Sequence, residues 1–544
     1  MSVGRQSLCF NTLFVLLLLV LLLSTLSLVD AVRIDRSDKD NESNNNNSNN
    51  NVSFQFLRRQ LQLQEDDTSL DPTHPSDHRI QSLPLLDKLP TAMYAGHLRA
   101  SPDGDKKLFY WLVAPPDMTD PQAPLVVWLN GGPGCSSMDG LFLENGPIRF
   151  ARNNDKDEWK LVPNPHSWHL SPAWILYLDQ PVGTGLSFTH RGNYCKNDLE
   201  VNQDFAYFLE EFLLLYRNVF LQPDQPILQR PLFMTGESHA GHYIPSMMDY
   251  ILQRQQGRVG ISFAGAAIGN GWIDPYHQYS ATEVAYGAGL INLSQKAKLD
   301  EDEKECQRAI GRQEYEAESC FGLLAAVTDQ SYGEDSNEVV CSYDTGRLEH
   351  KRSQRAFPPG HNLVERYLGD GPPQIELRSD SSDVLRALHA TESRVARQVY
   401  RECADAPYYA LSHQDGLGVV PELVRLLESG HRLLFYNGMN DLICNHVGTE
   451  RALLHLPWKH RNDFAMAQRH VWSVQEEKNN NPTMSVYVQQ FENLLYLKIP
   501  NAGHMVPLDR PVLALEMMRA FLYNHNFETN AQQLDSRPPL ESSC

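Results

Sequence analysis

Apolar residues in this chain fall into short, nearly unbroken runs. Residues 108–113, 125–129, 174–178, 232–235 and 263–268 are built almost wholly from Leu, Val, Ile, Phe, Trp, Tyr, Met and Ala. Runs of four to six without alternation are what a strand buried on both faces requires. Longer segments of helical period separate them. The clearest is 200–220, where Phe205, Phe208, Leu209 and Phe212 share one face. Beyond Asp274 the rhythm stops, and charged, helix-prone segments such as 295–312 and 382–398 take over. Strands resume at Arg432 and Leu494, and 511–521 reads as a closing helix. The pattern predicts a mixed, mostly parallel twisted sheet with helices on both faces. A largely helical insertion, about 274–425, should lie over the sheet's functional edge. No internal repeats are evident.

The run 232–235 leads into Gly236-Glu-Ser-His-Ala-Gly241, and 244–251 then reads as an apolar-periodic helix. A serine on a sharp strand-to-helix turn presents its hydroxyl above the sheet, where the helix N-terminus favours developing negative charge. The common elbow is Gly-x-Ser-x-Gly; here the second glycine comes one place late. Such a hydrolase needs an acid and then a histidine, each just past a later strand. Asp441 follows the buried-strand pattern 431–438, and His504 follows 494–500. Among twenty histidines, His239, His242 and His446 could compete, but His504 alone joins a strand end to a position after the acid.

The serine elbow and three further blocks carry a resemblance. Trp128-Leu-Asn-Gly-Gly-Pro-Gly-Cys-Ser-Ser137, Asp179-Gln-Pro-Val-Gly-Thr-Gly185, the serine elbow and Gly503-His504-Met505 resemble the signature blocks of serine carboxypeptidases. The stretch from Asp441 to Glu450 resembles the fungal pheromone-processing branch, which trims Lys and Arg after a kexin-type endoprotease. The resemblance implies an α/β-hydrolase fold over residues 83–525. It implies Ser238 as nucleophile, His504 as base and Asp441 as its orienting acid. It assigns the oxyanion hole to the backbone N–H groups of Gly132 and His239. The substrate's terminal carboxylate falls to Asn130, Gly131, Glu144 and Glu237. Two glutamates can hold a carboxylate only if crowding keeps a proton on one of them, so activity should favour acidic pH. Asp139 would read the departing side chain and favour Lys or Arg, or else be a solvated loop acid. Glu283 and Asp274 are further acids for that neighbourhood. Trp272, Ile443 and Met505 would supply apolar walls. The family elbow carries tyrosine after the serine, so His239 is a departure.

Charge and cysteines bear on the compartment. The formal net charge of −20 argues against a nucleic-acid partner and suits basic substrates or an acidic lumen. Arg5 followed by the apolar run 13–23 reads as a signal peptide through Ala31, too short for a comfortable membrane span. Reading that run as an uncleaved anchor is the alternative. Residues 32–82 form a polar, Asn-rich leader without periodic apolar positions, and 526–544 a polar tail. Asn41, Asn46, Asn51 and Asn292 begin Asn-x-Ser glycan acceptors. Nine cysteines suit an oxidising compartment. The family pattern pairs Cys135 with Cys403 and places a lone pocket cysteine at Cys444. Cys306 and Cys320 make a reasonable local pair, and Cys195, Cys341 and Cys544 are left without a partner. No Cys/His spacing resembles a metal-ligand set, and no cofactor is expected.

The expected function is therefore a serine-type carboxypeptidase working on peptide and protein C-termini through an acyl-enzyme, in the secretory pathway. With no C-terminal anchor before Cys544, a secreted, vacuolar or Golgi-lumen protein is expected, and monomer and homodimer both stay open. An acyltransferase on the same scaffold and a protective binding partner of other lumenal hydrolases are the competing readings.

Overall fold

The computed structural model describes residues 74–153, 158–254, 257–330, 338–350, 361–369, 381–475, 482–525 and 527. The signal peptide, nearly all of the leader, the tail and the acceptors Asn41, Asn46 and Asn51 lie outside the described residues. Fifteen strands follow one another: β1 (Met93–Arg99), β2 (Lys106–Val113), β3 (Leu125–Leu129), β4 (Ile148–Asn153), β5 (Glu158–Pro163), β6 (Trp174–Leu178), β7 (Phe188–Thr189), β8 (Leu232–Glu237), β9 (Gly265–Gly269), β10 (Glu338–Cys341), β11 (Asp344–His350), β12 (Arg432–Gly438), β13 (His470–Gln475), β14 (Pro482–Phe491) and β15 (Leu494–Ile499). Eleven of them make one sheet in the order β1-β2-β6-β3-β8-β9-β12-β15-β14-β13, with β7 beside β2. From β6 to β15 every neighbouring pair is parallel. The flanking pairs are antiparallel.

The central strands are buried along their whole length in β3, β6, β8 and β9. Their side chains alternate between two cores. On one face Leu125, Val127 and Leu129 pack with Phe205, Phe208, Leu209 and Phe212 and with Ile244 and Met248 of the elbow helix. On the other, Val126 and Trp128 pack with Trp168, Met517 and Phe521. A sheet covered on both faces explains why these strands read as unbroken apolar runs.

The structure departs from the sequence reading in three places. The helix expected over 200–220 is Asp198–Leu215, broken at Tyr216 before a single turn, Arg217–Phe220. The segment 382–398 is two short helices, Ser381–Ala387 and Thr391–Val395, parted where His389 takes φ 53°. Within the insertion, helices such as Leu293–Gly311 and Glu318–Gln330 are followed by a hairpin, β10–β11. The hairpin escaped notice because Asp344-Thr-Gly-Arg-Leu-Glu-His350 lacks a strong alternating pattern.

Two disulfides tie the insertion. Cys135 bonds Cys403 across 268 residues of sequence, and Cys306 bonds Cys320 across 14. Cys195 and Cys444 are buried thiols. Asn292 is exposed and caps the helix Leu293–Gly311, its side-chain oxygen accepting from the Gln295 N–H.

Candidate active site

Strand β8 ends at Glu237, and the chain turns at Ser238 (φ 60°) into the helix Ala240–Gln253. That left-handed conformation costs an ordinary side chain free energy, so the surroundings must fix it. The Ser238 N–H donates to Gly269 O at 3.1 Å, and the Ser238 carbonyl accepts from Gly241 and Trp272, both at 2.9 Å. Gly236 is required by space, because a Cβ there would lie 2.2 Å from Leu129 O.

The acid and the histidine sit beyond β12 and β15, parallel strands that follow β9 on the same side of the elbow strand β8. Asp441 is fully buried and accepts at Oδ2 from His504 Nδ1 at 2.8 Å. Asn270 Nδ2 donates to the same oxygen at 2.8 Å, and the Ile443 N–H to Oδ1 at 2.9 Å. His504 is held by its own N–H, which donates to Tyr343 O at 2.8 Å. The Tyr343 ring stands edge-on to the imidazole at 4.9 Å. Next door, the Gly503 N–H is bound by Asp509 Oδ2 at 2.8 Å. The carboxylate thus keeps the imidazole in one tautomer with its other nitrogen directed away from Asp441.

Ser238 and His504 line one cavity of about 80 Å³ together with Asn130, Gly131, Gly132, Cys135, Asp139, Glu237, Tyr343, Glu402, Cys403 and Met505. The glycine loop presses on the elbow: a Cβ on Gly131 would lie 2.4 Å from His239 N and 2.7 Å from Ser238 Cβ. Gly132 takes φ 113°, which no other residue adopts readily. Backbone amides are therefore brought close beside the serine, which is what an oxyanion site needs.

Across the cavity, Asn130 Nδ2 donates to Glu237 Oε1 at 3.1 Å, while its Oδ1 accepts from Trp128 Nε1 and the Gly140 N–H. Glu144 and Glu237 are both buried. Burial, before any other cause, pushes both carboxyls upward, and for Glu237 the neighbouring Glu144 charge adds to it. Neither Glu144 oxygen nor Glu237 Oε2 meets a donor among the described residues, and two buried carboxyls this crowded favour keeping a proton. Asp139 is also buried and raised well above the usual carboxylate range, first by burial and then by Glu144. No hydrogen bond reaches its Oδ1 among the described residues. The loop carrying these groups is fastened to Asp179, which accepts from Ser136 Oγ at 2.6 Å and from the Ser137 and Leu186 N–H groups, both at 3.0 Å.

Other expected residues stand further off. Glu283 pairs with Arg451 on an exposed surface, and Asp274 pairs with His277 at 2.5 Å; neither lines the cavity. Ile443 contributes its backbone to Asp441, and Trp272 turns its ring to Tyr279. Sequence reading missed Asn270, Tyr343 and Glu402. Of these, only Asn270 had a signal, standing between two glycines at the end of a strand. Donor atoms of Asp441, Cys444 and His504 lie within 4.8 Å of one another. Sequence spacing did not show this cluster because its members come from two loops; here Asp441 and His504 already bind each other.

The serine carboxypeptidase family model matches residues 84–524. The chain is 34% identical over 476 residues to a pheromone-processing carboxypeptidase KEX1 of Phytophthora infestans, covering 86% of this chain and 75% of that protein. Against serine carboxypeptidase S10 family member 2 of Dictyostelium discoideum it is 34% identical over 477 residues, covering 86% and 79%. Its fold matches the crystal structure of a truncated Kex1, a prohormone-processing carboxypeptidase from Saccharomyces cerevisiae, with TM-score 0.69 and 26% identity over 83% of this chain and 96% of that one. An α/β-hydrolase sheet with a buried Asp441–His504 pair that lines one cavity with the elbow serine is thus accompanied by family likeness over nearly all the described residues, and the chain belongs to the serine carboxypeptidase family.

Proposed function

We propose that Ser238, activated by His504 and Asp441, attacks the last peptide bond of a peptide or protein and forms an acyl-enzyme that water then hydrolyses. His504 takes the serine proton and returns it to the departing amine, and Asp441 stabilises the imidazolium. The amides of Gly132 and His239 receive the oxyanion. Asn130, Gly131 and the proton shared by Glu144 and Glu237 hold the free C-terminal carboxylate. The observation that carries the reading is the burial of these two carboxyls, with no donor on either Glu144 oxygen or on Glu237 Oε2 among the described residues. A protonated carboxyl can donate to a carboxylate, whereas an ionised pair would repel it, so turnover on peptides belongs to acidic pH.

Asp139 beside this site supports a leaning towards C-terminal Lys and Arg, and Met505 in the same cavity leaves room for apolar residues. The two disulfides and the apolar run 13–23 support a secretory-pathway lumen. Among the described residues no helix is long and apolar enough to cross a membrane. The test is to incubate the protein at acidic pH with peptides ending in Arg, Leu and Asp and to weigh the products. Removal of single C-terminal residues, fastest for Arg and slowest for Asp, is expected; internal cleavage or no cleavage would contradict the reading.

A further inference from the structure

The hairpin β10–β11 reaches the catalytic pair from the insertion, and its tip touches both loops that carry that pair. On the histidine loop, the His504 N–H donates to Tyr343 O at 2.8 Å, and a Cβ on Gly503 would lie 2.4 Å from that oxygen. On the acid loop, the Leu442 N–H donates to Ser342 O at 3.0 Å, and the Thr345 N–H donates to Asn440 O at 2.9 Å. Asp441 stands between Asn440 and Leu442, so the hairpin holds the chain on either side of the acid.

One side chain ties these contacts together. Arg347, on β11, sends Nε to Asp344 Oδ2 at 2.9 Å and Nη2 to Asp509 Oδ1 at 2.7 Å. Each acid passes the contact on. Asp344 Oδ1 accepts from Asn440 Nδ2 at 3.1 Å, next to Asp441. Asp509 Oδ2 accepts from the Gly503 N–H at 2.8 Å, next to His504. A planar guanidinium offers donors at fixed angles, so one residue can hold two carboxylates in a set relation. The Arg347 side chain is 41% exposed, and an ion pair so placed contributes little to stability. Its effect lies in geometry. The hydrogen bond from His504 to Asp441 sets the tautomer, whereas the backbone contacts set where the ring stands relative to Ser238.

We propose that Arg347 is a positioning residue: through Asp344 and Asp509 it braces the loops of Asp441 and His504 against each other and sets how well His504 activates Ser238. The inference rests on the carboxypeptidase reading and gives the insertion a part in the reaction beyond covering the site.

The test uses diisopropyl fluorophosphate, which needs an activated serine and no peptide; its phosphorus joins Ser238 Oγ as fluoride leaves. The labelling rate constant is read from the mass of the intact protein, beside kcat/KM on an Arg-ended peptide. Arg347→Ala and Asp509→Asn should each slow both reactions about fivefold or more. Asparagine keeps an acceptor for the Gly503 N–H, so that loss reports the ion pair. Because the two residues act through one contact, the double variant should be no slower than Arg347→Ala. A poorly folding preparation yields less labelled protein but leaves the rate constant of the folded molecules readable. Labelling of Arg347→Ala at the parent rate overturns the inference, as do losses that multiply in the double variant. A wild type that is neither labelled nor trims the peptide overturns the carboxypeptidase reading and this inference with it.

Discussion

Asn130 donates its side-chain amide to Glu237 Oε1 at 3.1 Å, and that orientation is locked from the other end. Trp128 Nε1, at 2.7 Å, and the Gly140 N–H, at 3.2 Å, both occupy the Asn130 oxygen. The amide cannot flip without losing two donors, so Glu237 is addressed by a fixed hydrogen on one side and by Glu144 on the other. A rigid donor beside two buried carboxyls whose pKa values are both raised makes the site's charge a function of pH.

The first prediction follows from the direction of those shifts. Glu144 is pushed up to about 7, chiefly by burial, and Glu237 is raised well above its usual range, so the pair is fully protonated in acid and loses its first proton towards neutrality. Peptide turnover should fall over the same range. Glu144→Gln and Glu237→Gln should each weaken peptide binding, since one partner of a tuned pair is lost. They should also flatten the fall in kcat/KM between pH 5 and pH 7.5, about a unit either side of the usual histidine range, because an amide remains a donor throughout. If both variants keep the parent profile, the shared-proton account is wrong.

Asp139 yields a prediction with a pH sign of its own. Its carboxyl is raised well above the ordinary range, by burial first, so in acid it is neutral until a cation arrives. Preference for a C-terminal Arg over Leu should therefore grow as pH rises, up to the point where carboxylate binding fails. Asp139→Asn should remove that growth and lower the Arg-to-Leu ratio; a tenfold change corresponds to about 1.4 kcal/mol. Equal losses on both peptides would show that Asp139 supports its loop and does not read the substrate.

Stability should show two opposed pH dependences in one window. His78, His97, His169 and His446 are each lowered from 6.5 to about 4, burial being the first cause. The unfolded chain protonates them first, so their contribution is lost as pH falls from 6.5 to about 4. Asp179 is raised from 3.8 to about 7 by burial, so its contribution is lost as pH rises through that range. Asp139, Glu144 and Glu237 act in the same direction as Asp179. The parent's Tm should be nearly level across the window. Asp179→Asn removes one arm and should make Tm climb with pH relative to the parent, whatever its absolute cost. Scanning calorimetry in matched buffers checks this, and an unchanged slope would count against it.

The legible parts of this molecule are those fixed by local pattern or by order along the chain. Residues 125–129 and 174–178 stood out because a strand covered on both faces has no polar side to present. Asp441 and His504 could be found because parallel strands place their chemistry in the loops past their ends, in sequence order. Glu402 could not be found that way: it reaches the cavity only because Cys403 is bonded to Cys135. Tyr343 likewise arrives on the turn of a weakly patterned hairpin. Asp415 is joined to the elbow through Trp272, a contact between distant segments that no spacing encodes. Conversely, Glu283 and Asp274 looked suitable by charge alone, and each is engaged by a basic neighbour elsewhere.

The most direct test of the central claim is a mass-spectrometric time course on an Arg-ended peptide at acidic pH. Wild-type protein should shorten the peptide one residue at a time from its C-terminus. Ser238→Ala and His504→Ala should each lose turnover by roughly 10⁴-fold or more, and the double variant should be little worse than either, because the pair acts as a unit. Ser238→Ala should keep the parent's melting behaviour, and His504→Ala should stay folded with a lower Tm, because Asp441 loses a buried partner. C-terminal shortening that persists at near wild-type rate in Ser238→Ala would contradict the account.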